Sequence, residues 1–336
     1  MRPAESFSER AKPQIDLRTG QPYANLIHGH RRFASTIADY LGVDATHVLP
    51  TAGATGAIEA VRNHVFRNAL KTNPVLLTVC PGYWRARESF QGCGFAVVEI
   101  KTACAGFKIV EETLVRRAAE VQPDVVYLSL PNNPTGAIFN PALIVSGMPA
   151  TTAVIFDLTL PSRQLNTREL AGRLYNSFRG RKLFLVGSTS KSHNTAEHRI
   201  GWAIATRSED ADQLNQENRN VVSSVAVEEA CRTLRQGSDV HTSIAESFQL
   251  LKRAVADGAF ELVEPPTGVQ SSYALIRLQC DREVLRNSLG QFGIAVMWGT
   301  EFGLSNDYLR LEMSQPENVE AFTSALTACL QSRQTA

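Results

Sequence analysis

Residues 187–203, GSTSKSHNTAEHRIGWA, place a lysine after a short apolar run and an arginine eight residues beyond that lysine. The apolar run, residues 183–186, is typical of a buried strand, so Lys191 follows the end of that strand. Desolvation at such a position lowers the pKa of an amine and makes it nucleophilic. Arg199 adds a fixed positive charge suited to a phosphate. Taken alone, the same pattern also describes a surface lysine and a structural arginine, so the rest of the chain has to decide.

The composition is that of an ordinary globular protein, with 336 residues, of which 43% are hydrophobic and 20% charged. A formal net charge of +1 gives no argument for nucleic acid or a membrane surface as a partner. The six cysteines are scattered without zinc-site spacing, so we expect reduced thiols and no metal. No apolar run reaches membrane-spanning length and no secretory signal is visible, which predicts a cytoplasmic protein.

Strand and helix patterns alternate between residues 45 and 206, which predicts an α/β fold with a mostly parallel central sheet and helices on both faces. Residues 209–258 are polar with few breakers and predict a long helix that links two domains. The remainder predicts a smaller C-terminal α/β domain. The predicted divisions are an N-terminal arm at 1–22, a large domain at 23–230 and a small domain at 231–336.

Chemically distinctive residues follow the ends of five predicted strands, and ligands of open α/β sheets bind at the carboxyl ends of strands. The turn at residues 51–58, TAGATGAI, opens a helix, and its backbone N–H groups suit an anion; a tight turn without a ligand explains it equally well. Asp157 ends a buried strand and therefore needs a partner. The residues at the other three strand ends are Tyr83, Asn133 and Lys191.

Three motifs in order along the chain resemble the fold-type I pyridoxal-phosphate enzymes, the aspartate aminotransferase superfamily of class I and II aminotransferases. They are PNNPTG at 131–136, SxSK at 188–191 with Arg199, and YLRLEMSQPENVEAF at 308–322. The resemblance extends from about residue 23 to the C-terminus. Within the superfamily, residues 190–204 and 301–314 are similar to the alliinase and tryptophan aminotransferase group.

The resemblance implies pyridoxal 5′-phosphate as the cofactor and a role for each matching residue. Lys191 is expected to form the internal aldimine with the cofactor and then to move the Cα proton of an amino acid, giving a keto acid. Asp157 is expected to pair with the pyridine nitrogen, which makes the ring an electron sink. Arg310 is expected to bind the substrate α-carboxylate, with Asn133 beside it. The other implied cofactor-binding residues are Gly53, Ala54, Thr55, Tyr83, Asn133, Ser188, Ser190 and Arg199.

Tyr23 matches a tyrosine that, in the family, reaches the phosphate of the neighbouring subunit. The resemblance therefore implies a homodimer with shared sites that acts on a small amino acid and a keto acid. It implies neither nucleic acid nor a membrane as a partner.

One position departs from the family pattern, since Leu160 stands where a tyrosine three residues after the pyridine aspartate is usual. A donor to the phenolic oxygen of the cofactor is thereby lost, unless Thr159 compensates. The sequence therefore leaves two reactions open: transamination, and a lyase or cyclase reaction that loses a β-substituent. A regulatory module that merely binds the cofactor is disfavoured because Lys191, Asp157, Asn133 and Arg310 are all present. A dinucleotide enzyme is disfavoured by the absence of GxGxxG after the first strand.

Overall fold

The structure, a computed structural model, describes residues 21–217, 222–238, 240–255, 260–266, 268–279 and 282–334. Of the predicted arm at 1–22, only residues 21 and 22 are described, and they begin helix α1 (Gln21–Leu41). The other residues of the predicted arm lie outside the described part of the chain. Within the described ranges, no helix is both long and apolar enough to cross a membrane.

A seven-stranded sheet forms the centre of the molecule, with strand order β1-β7-β6-β5-β4-β2-β3. Neighbouring strands run parallel, except that β7 is antiparallel to both β1 and β6. The predicted mostly parallel α/β sheet is thereby confirmed. The strands are β1 (Val48–Thr51), β2 (Val75–Cys80), β3 (Ala96–Lys101), β4 (Val125–Ser129), β5 (Ala153–Asp157), β6 (Leu183–Ser188) and β7 (Gly201–Ala205).

Helices cover both faces of this sheet, because its central strands are apolar on both sides. Along β5, Val154 and Phe156 belong to one buried cluster and Ile155 to the cluster on the opposite face. The described helices are α1, α2 (Gly53–Arg67), α3 (Trp84–Gly92), α4 (Glu111–Val121), α5 (Pro141–Gly147), α6 (Thr167–Ser177), α7 (Thr189–Ser192), α8 (Ser208–Glu217), α9 (Ser224–Gln236), α10 (Val240–Val255), α11 (Arg282–Gln291) and α12 (Pro316–Gln334).

The prediction of one long helix over residues 209–258 is wrong, since the three helices α8, α9 and α10 occupy this stretch. Helix α9 ends at Gln236, and the next residue, Gly237, has a φ of 77°, which residues with a side chain rarely adopt. Cys231 of α9 packs in a core of the central sheet, whereas Phe248 of α10 packs in a separate core with the second sheet. The predicted domain boundary between residues 230 and 231 stays a prediction.

A second, antiparallel sheet has the order β10-β11-β9-β8. Its strands are β8 (Phe260–Val263), which the sequence analysis missed, β9 (Tyr273–Leu278), β10 (Met297–Trp298) and β11 (Tyr308–Glu312). Along β11, Leu309 and Leu311 are buried in the core of this sheet. Because side chains alternate along a strand, Arg310 and Glu312 face the other way, toward the central sheet.

A buried carboxylate, Asp210 of α8, contacts helix α2 through His64. His64 Nε2 lies 3.1 Å from Asp210 Oδ1, and Arg207 Nε donates to Oδ2 at 2.6 Å. Burial works to raise the pKa of Asp210, but hydrogen bonds from His64 and Arg207 prevail and lower this pKa to about 2. The ionised form is therefore favoured in the folded state.

We expect Asp210→Asn to lower the free energy of unfolding at pH 7 by about 2 kcal/mol. A depressed pKa contributes stability above the unfolded value of 3.8, and that contribution is lost as the pH falls toward about 2. Urea denaturation at pH 7 and pH 3 measures the effect, and the gap between wild type and variant should shrink at the lower pH. Asp212→Asn, an exposed aspartate on the same helix, is the matched control; equal losses in the two variants would contradict the assignment.

Candidate active site

The carboxyl ends of β4, β5 and β6 open into a cavity of about 150 Å³. All predicted site residues except Gly53, Arg310 and Tyr23 line it, so five separate strand ends do converge on one place. The lining residues are Ala54, Thr55, Tyr83, Ser129, Asn133, Asp157, Thr159, Leu160, Ser188, Ser190, Lys191, Arg199 and Tyr273.

Lys191 supplies the primary amine of this lining. It lies on the short helix α7, immediately after β6, as the apolar run before it predicts. Its Nζ lies 4.0 Å from Glu312 Oε1 and 5.4 Å from the centre of the Tyr273 ring. Since Glu312 and Tyr273 belong to the second sheet, the amine lies in the cleft where the two sheets meet.

Asp157 is buried at the end of β5 and has hydrogen-bond donors to both carboxylate oxygens. The Tyr127 hydroxyl donates to Oδ2 at 2.8 Å, and the Thr159 backbone N–H donates to Oδ1 at 3.0 Å. Burial raises the pKa of Asp157, while the hydrogen bonds from Thr159 and Tyr127 act in the opposite direction. The partner that this buried carboxylate requires is thus Tyr127, which the sequence analysis missed.

A cradle for an anion lies at the N-terminus of α2. Gly53 has a φ of 73°, and a Cβ on it would lie 2.5 Å from Arg199 Nη2, so only glycine lets the guanidinium pack over this turn. The Ser188 hydroxyl is buried and has no hydrogen-bond partner among the described residues. A helix N-terminus, a guanidinium and an unpaired hydroxyl together suit a phosphate group.

Arg310 does not line the cavity itself but contacts Asn133, which does. Its Nη1 donates to Asn133 Oδ1 at 3.0 Å, and its Cζ lies 3.8 Å from the centre of the Tyr273 ring and 5.1 Å from that of Phe302. Nε is buried without a partner among the described residues, and Nη2 contacts only the weakly accepting sulfur of Met297. Burial lowers the pKa of Arg310, yet an arginine remains charged in proteins. The Nε–Nη2 edge can therefore bind a carboxylate through two hydrogen bonds.

Tyr83 lies at the start of α3 and lines the same cavity. Burial, followed by the negative charge of Asp157, raises the pKa of the Tyr83 phenol, so the ring stays neutral. A neutral aromatic ring beside the Asp157 carboxylate is suited to stacking on a flat heteroaromatic group.

Two further positions bear on the departure from the family pattern. Leu160 is buried and lines the cavity, so no phenol stands at this position. Tyr273, which the sequence analysis did not single out, brings a phenol into the cavity from β9. The backbone of Tyr23 belongs to α1, and its side chain lies outside the described part of the structure.

These residues fit pyridoxal 5′-phosphate. The Lys191 amine suits its aldehyde, the Asp157 carboxylate suits its ring nitrogen, and the unpaired Ser188 hydroxyl with Arg199 suits its phosphate. The model of the family described as "Aminotransferase class I and II" matches residues 9–326. The chain belongs to this family.

Curated relatives of this chain are distant. A histidinol-phosphate aminotransferase 2 from Pseudomonas aeruginosa is 27% identical over 216 residues, which cover 62% of this chain and 57% of that relative. The chain thus matches little more than half the length of that protein. An L-aspartate:5-guanidino-3-methyl-2-oxopentanoate transaminase from Pseudomonas syringae pv. syringae is 20% identical, with 83% of this chain and 73% of that protein covered.

Solved structures share the fold at similarly low identity. A putative histidinol-phosphate aminotransferase from Erwinia carotovora atroseptica gives a TM-score of 0.75 at 18% identity, covering 91% of this chain and 88% of that one. The histidinol-phosphate aminotransferase from Sinorhizobium meliloti, solved in complex with pyridoxal 5′-phosphate, gives 0.74 at 19% identity, covering 90% and 82%. The L-threonine-O-3-phosphate decarboxylase from Porphyromonas gingivalis gives 0.72 at 17% identity, covering 92% and 94%.

The expected superfamily, fold class and cofactor are confirmed: the protein is a pyridoxal-phosphate enzyme of the aminotransferase class. The roles of the individual site residues and the narrower likeness to the alliinase and tryptophan aminotransferase group stay predictions.

Proposed function

We propose that the protein transfers the amino group of an α-amino acid to a keto acid, with Lys191 as the covalent anchor of the cofactor and as the base. The observation that carries this proposal is that the Nε and Nη2 donors of Arg310 lack a strong acceptor among the described residues. Its Nε has no partner among the described residues, and its Nη1 is bonded to Asn133, which lines the same cavity as Lys191. A carboxylate bound by Arg310 would then belong to the same site as the reactive amine, as an α-amino acid requires.

Each residue of the site has a distinct task. When bound, pyridoxal 5′-phosphate withdraws electrons from the substrate Cα. Lys191 Nζ would take the proton from Cα and deliver it to the former aldehyde carbon of the cofactor, so that the amino group stays on the cofactor and a keto acid can leave. Asp157 would hold the ring nitrogen with its carboxylate, while Ser188 and Arg199 would hold the phosphate. The unpaired hydroxyl of Ser188 then gains a partner, which accounts for its burial.

A lyase or cyclase is the second candidate, and the observation that favours it is Leu160. With a buried leucine at this position, the site lacks the usual phenol that donates to the phenolic oxygen of the cofactor. The residues that act on the Cα proton are the same for both reactions. The products of a single turnover therefore have to distinguish them.

The deciding experiment mixes the holoprotein with single amino acids and no keto acid. An aminotransferase leaves the cofactor in its amine form with an equal amount of keto acid. A lyase restores the aldehyde form while ammonia or a leaving group accumulates. The amino acids in the panel are aspartate, after the name of one relative, and aromatic and sulfur-containing amino acids. Histidinol phosphate, after the name of the other relative, is tested as an amine with a phosphate and no carboxylate; its expected product is a ketone. Because an arginine binds carboxylate and phosphate alike, the panel also decides which of these groups Arg310 takes.

We expect Arg310→Lys to raise KM for the amino acid by about 10–100-fold, because a lysine cannot form the two parallel hydrogen bonds of a guanidinium. Steady-state kinetics on the amino acid identified by the panel measures the change. Arg277→Lys, a half-exposed arginine on β9 that pairs with Asp307, is the matched control. If both variants show the same KM, Arg310 is not the carboxylate site.

We further propose a homodimer in which Tyr23 of one subunit reaches the phosphate at the site of the other. Two inactive homodimers, Lys191→Ala and Tyr23→Ala, test this proposal when their subunits are exchanged. A hybrid then contains one complete site, so activity should return on mixing. Mixtures that stay inactive although hybrids form would contradict a shared site. A cytoplasmic location stays a prediction.

A further inference from the structure

Tyr127 lies behind the site and contacts it through a single hydrogen bond. Its hydroxyl donates to Asp157 Oδ2 at 2.8 Å from the neighbouring strand β4. The strand register explains the contact, since Ser129 pairs with Asp157, and Tyr127 lies on the same face of β4 as Ser129. Tyr127 does not line the cavity as Ser129 does, so any effect on the reaction must pass through Asp157.

The surroundings of Tyr127 keep its hydroxyl protonated, so that it can always donate a hydrogen bond. Its side chain is 2% exposed and packs near Phe90, and the Thr78 hydroxyl fixes its backbone by donating to its carbonyl oxygen at 2.9 Å. Burial, then the charge of Asp157, raises the pKa of the Tyr127 phenol well above its usual range. The phenol therefore keeps its proton at every pH at which the protein works.

The Asp157 carboxylate accepts two protein hydrogen bonds and keeps capacity for a third. Tyr127 donates to Oδ2 and the Thr159 backbone N–H donates to Oδ1. A carboxylate offers about four lone-pair sites, so positions toward the cavity stay open for the ring nitrogen. The two donors also fix the rotation of the carboxylate, because one oxygen is hydrogen-bonded to Tyr127 on β4 and the other to the backbone that follows β5.

We propose that the Tyr127 hydroxyl is a positioning residue: it orients Asp157 and keeps the proton they share on the ring nitrogen of the bound cofactor. This inference rests on the proposed function. It concerns one proton, which lies either on the nitrogen, facing a carboxylate, or on Asp157, facing a neutral nitrogen.

The balance between these two states depends on the donors to the carboxylate. In a buried site the neutral pair is favoured, because charge separation is costly there. Hydrogen bonds to the ionised carboxylate favour the charged pair. Removing the Tyr127 hydroxyl takes away one of these donors, so the proton shifts toward Asp157 and the ring becomes a weaker electron sink.

The test compares Tyr127→Phe with Tyr175→Phe. Tyr175 is also buried, at 1% exposure, but it lies on α6 in the cluster on the other face of the sheet. Each variant loses one buried hydroxyl and keeps its ring. Holoprotein is prepared with cofactor labelled with ¹⁵N in the ring, and its nitrogen NMR signal reports protonation directly. Exchange of the substrate Cα–H with solvent deuterium is measured on the same samples, and thermal unfolding confirms that both variants are folded.

In Tyr127→Phe, we expect the nitrogen signal to move toward the unprotonated position and Cα–H exchange to slow by about tenfold, with KM little changed. Tyr175→Phe should match the wild type in the nitrogen signal, in the rate of Cα–H exchange and in KM. A nitrogen signal in Tyr127→Phe identical to wild type would overturn the inference and leave the proposed function intact. Wild-type protein that takes up no labelled cofactor would refute the proposed function and, with it, this inference.

Discussion

Replacing Lys191 with alanine is expected to abolish the covalent attachment of the cofactor and to reduce turnover by roughly 10⁴-fold, the upper range for loss of a positioned acid–base group. The amine is the one at the carboxyl end of β6, and its loss removes both the anchor and the base. The absorbance band of the bound cofactor and the rate of the amino-acid half-reaction measure the two effects separately.

Lys182 provides the sharpest control for this variant. It immediately precedes β6, at the end opposite to Lys191, and burial lowers the pKa of its amine. A lowered pKa makes Lys182 the competing nucleophile on chemical grounds. Lys182→Ala should keep the absorbance band of the covalently bound cofactor and near wild-type turnover. Loss of this band in Lys182→Ala would contradict the assignment of Lys191 as the lysine that binds the cofactor.

The second large effect is expected for Asp157→Asn, which keeps the shape of the side chain and removes its charge. Without a carboxylate the proton on the ring nitrogen is no longer stabilised, so turnover should fall by roughly 10²–10³-fold. The covalent link at Lys191 should still form, because the amine is unchanged. Turnover and the absorbance band of the bound cofactor are measured in parallel.

Asp124→Asn is the matched control for this charge removal. Asp124 is a partly buried aspartate at the other end of β4, where it pairs with Lys71 and accepts a hydrogen bond from the Val75 N–H at 2.8 Å. Its replacement should affect stability and leave turnover nearly unchanged. Turnover that survives in Asp157→Asn would show that Asp157 does not hold the ring proton.

The sequence alone predicted the central sheet and the place of the cavity, because both follow from local patterns. Buried parallel strands read as short apolar runs, and chemically distinctive residues followed their ends. Lys191 and Asp157 were therefore expected at or just after the carboxyl ends of these strands, and the structure places them there. Their roles came from a family resemblance, and only the family, fold class and cofactor have since been confirmed.

Features that depend on contacts between distant segments were not predictable in this way. Tyr127 reads as one more apolar strand residue, and only the register of β4 against β5 brings its hydroxyl to Asp157. Tyr273 enters the cavity because the second sheet packs against the first. The break between α9 and α10 depends on the positive φ of Gly237, which a polar stretch with few breakers did not reveal.

The central claim is that Lys191 carries the cofactor, and reduction of the holoprotein with borohydride followed by peptide mapping tests it most directly. Reduction makes the bond between lysine and cofactor permanent, so the modified peptide identifies the residue. The account predicts a single labelled peptide that contains Lys191. A label on Lys182 or on any other lysine would contradict it.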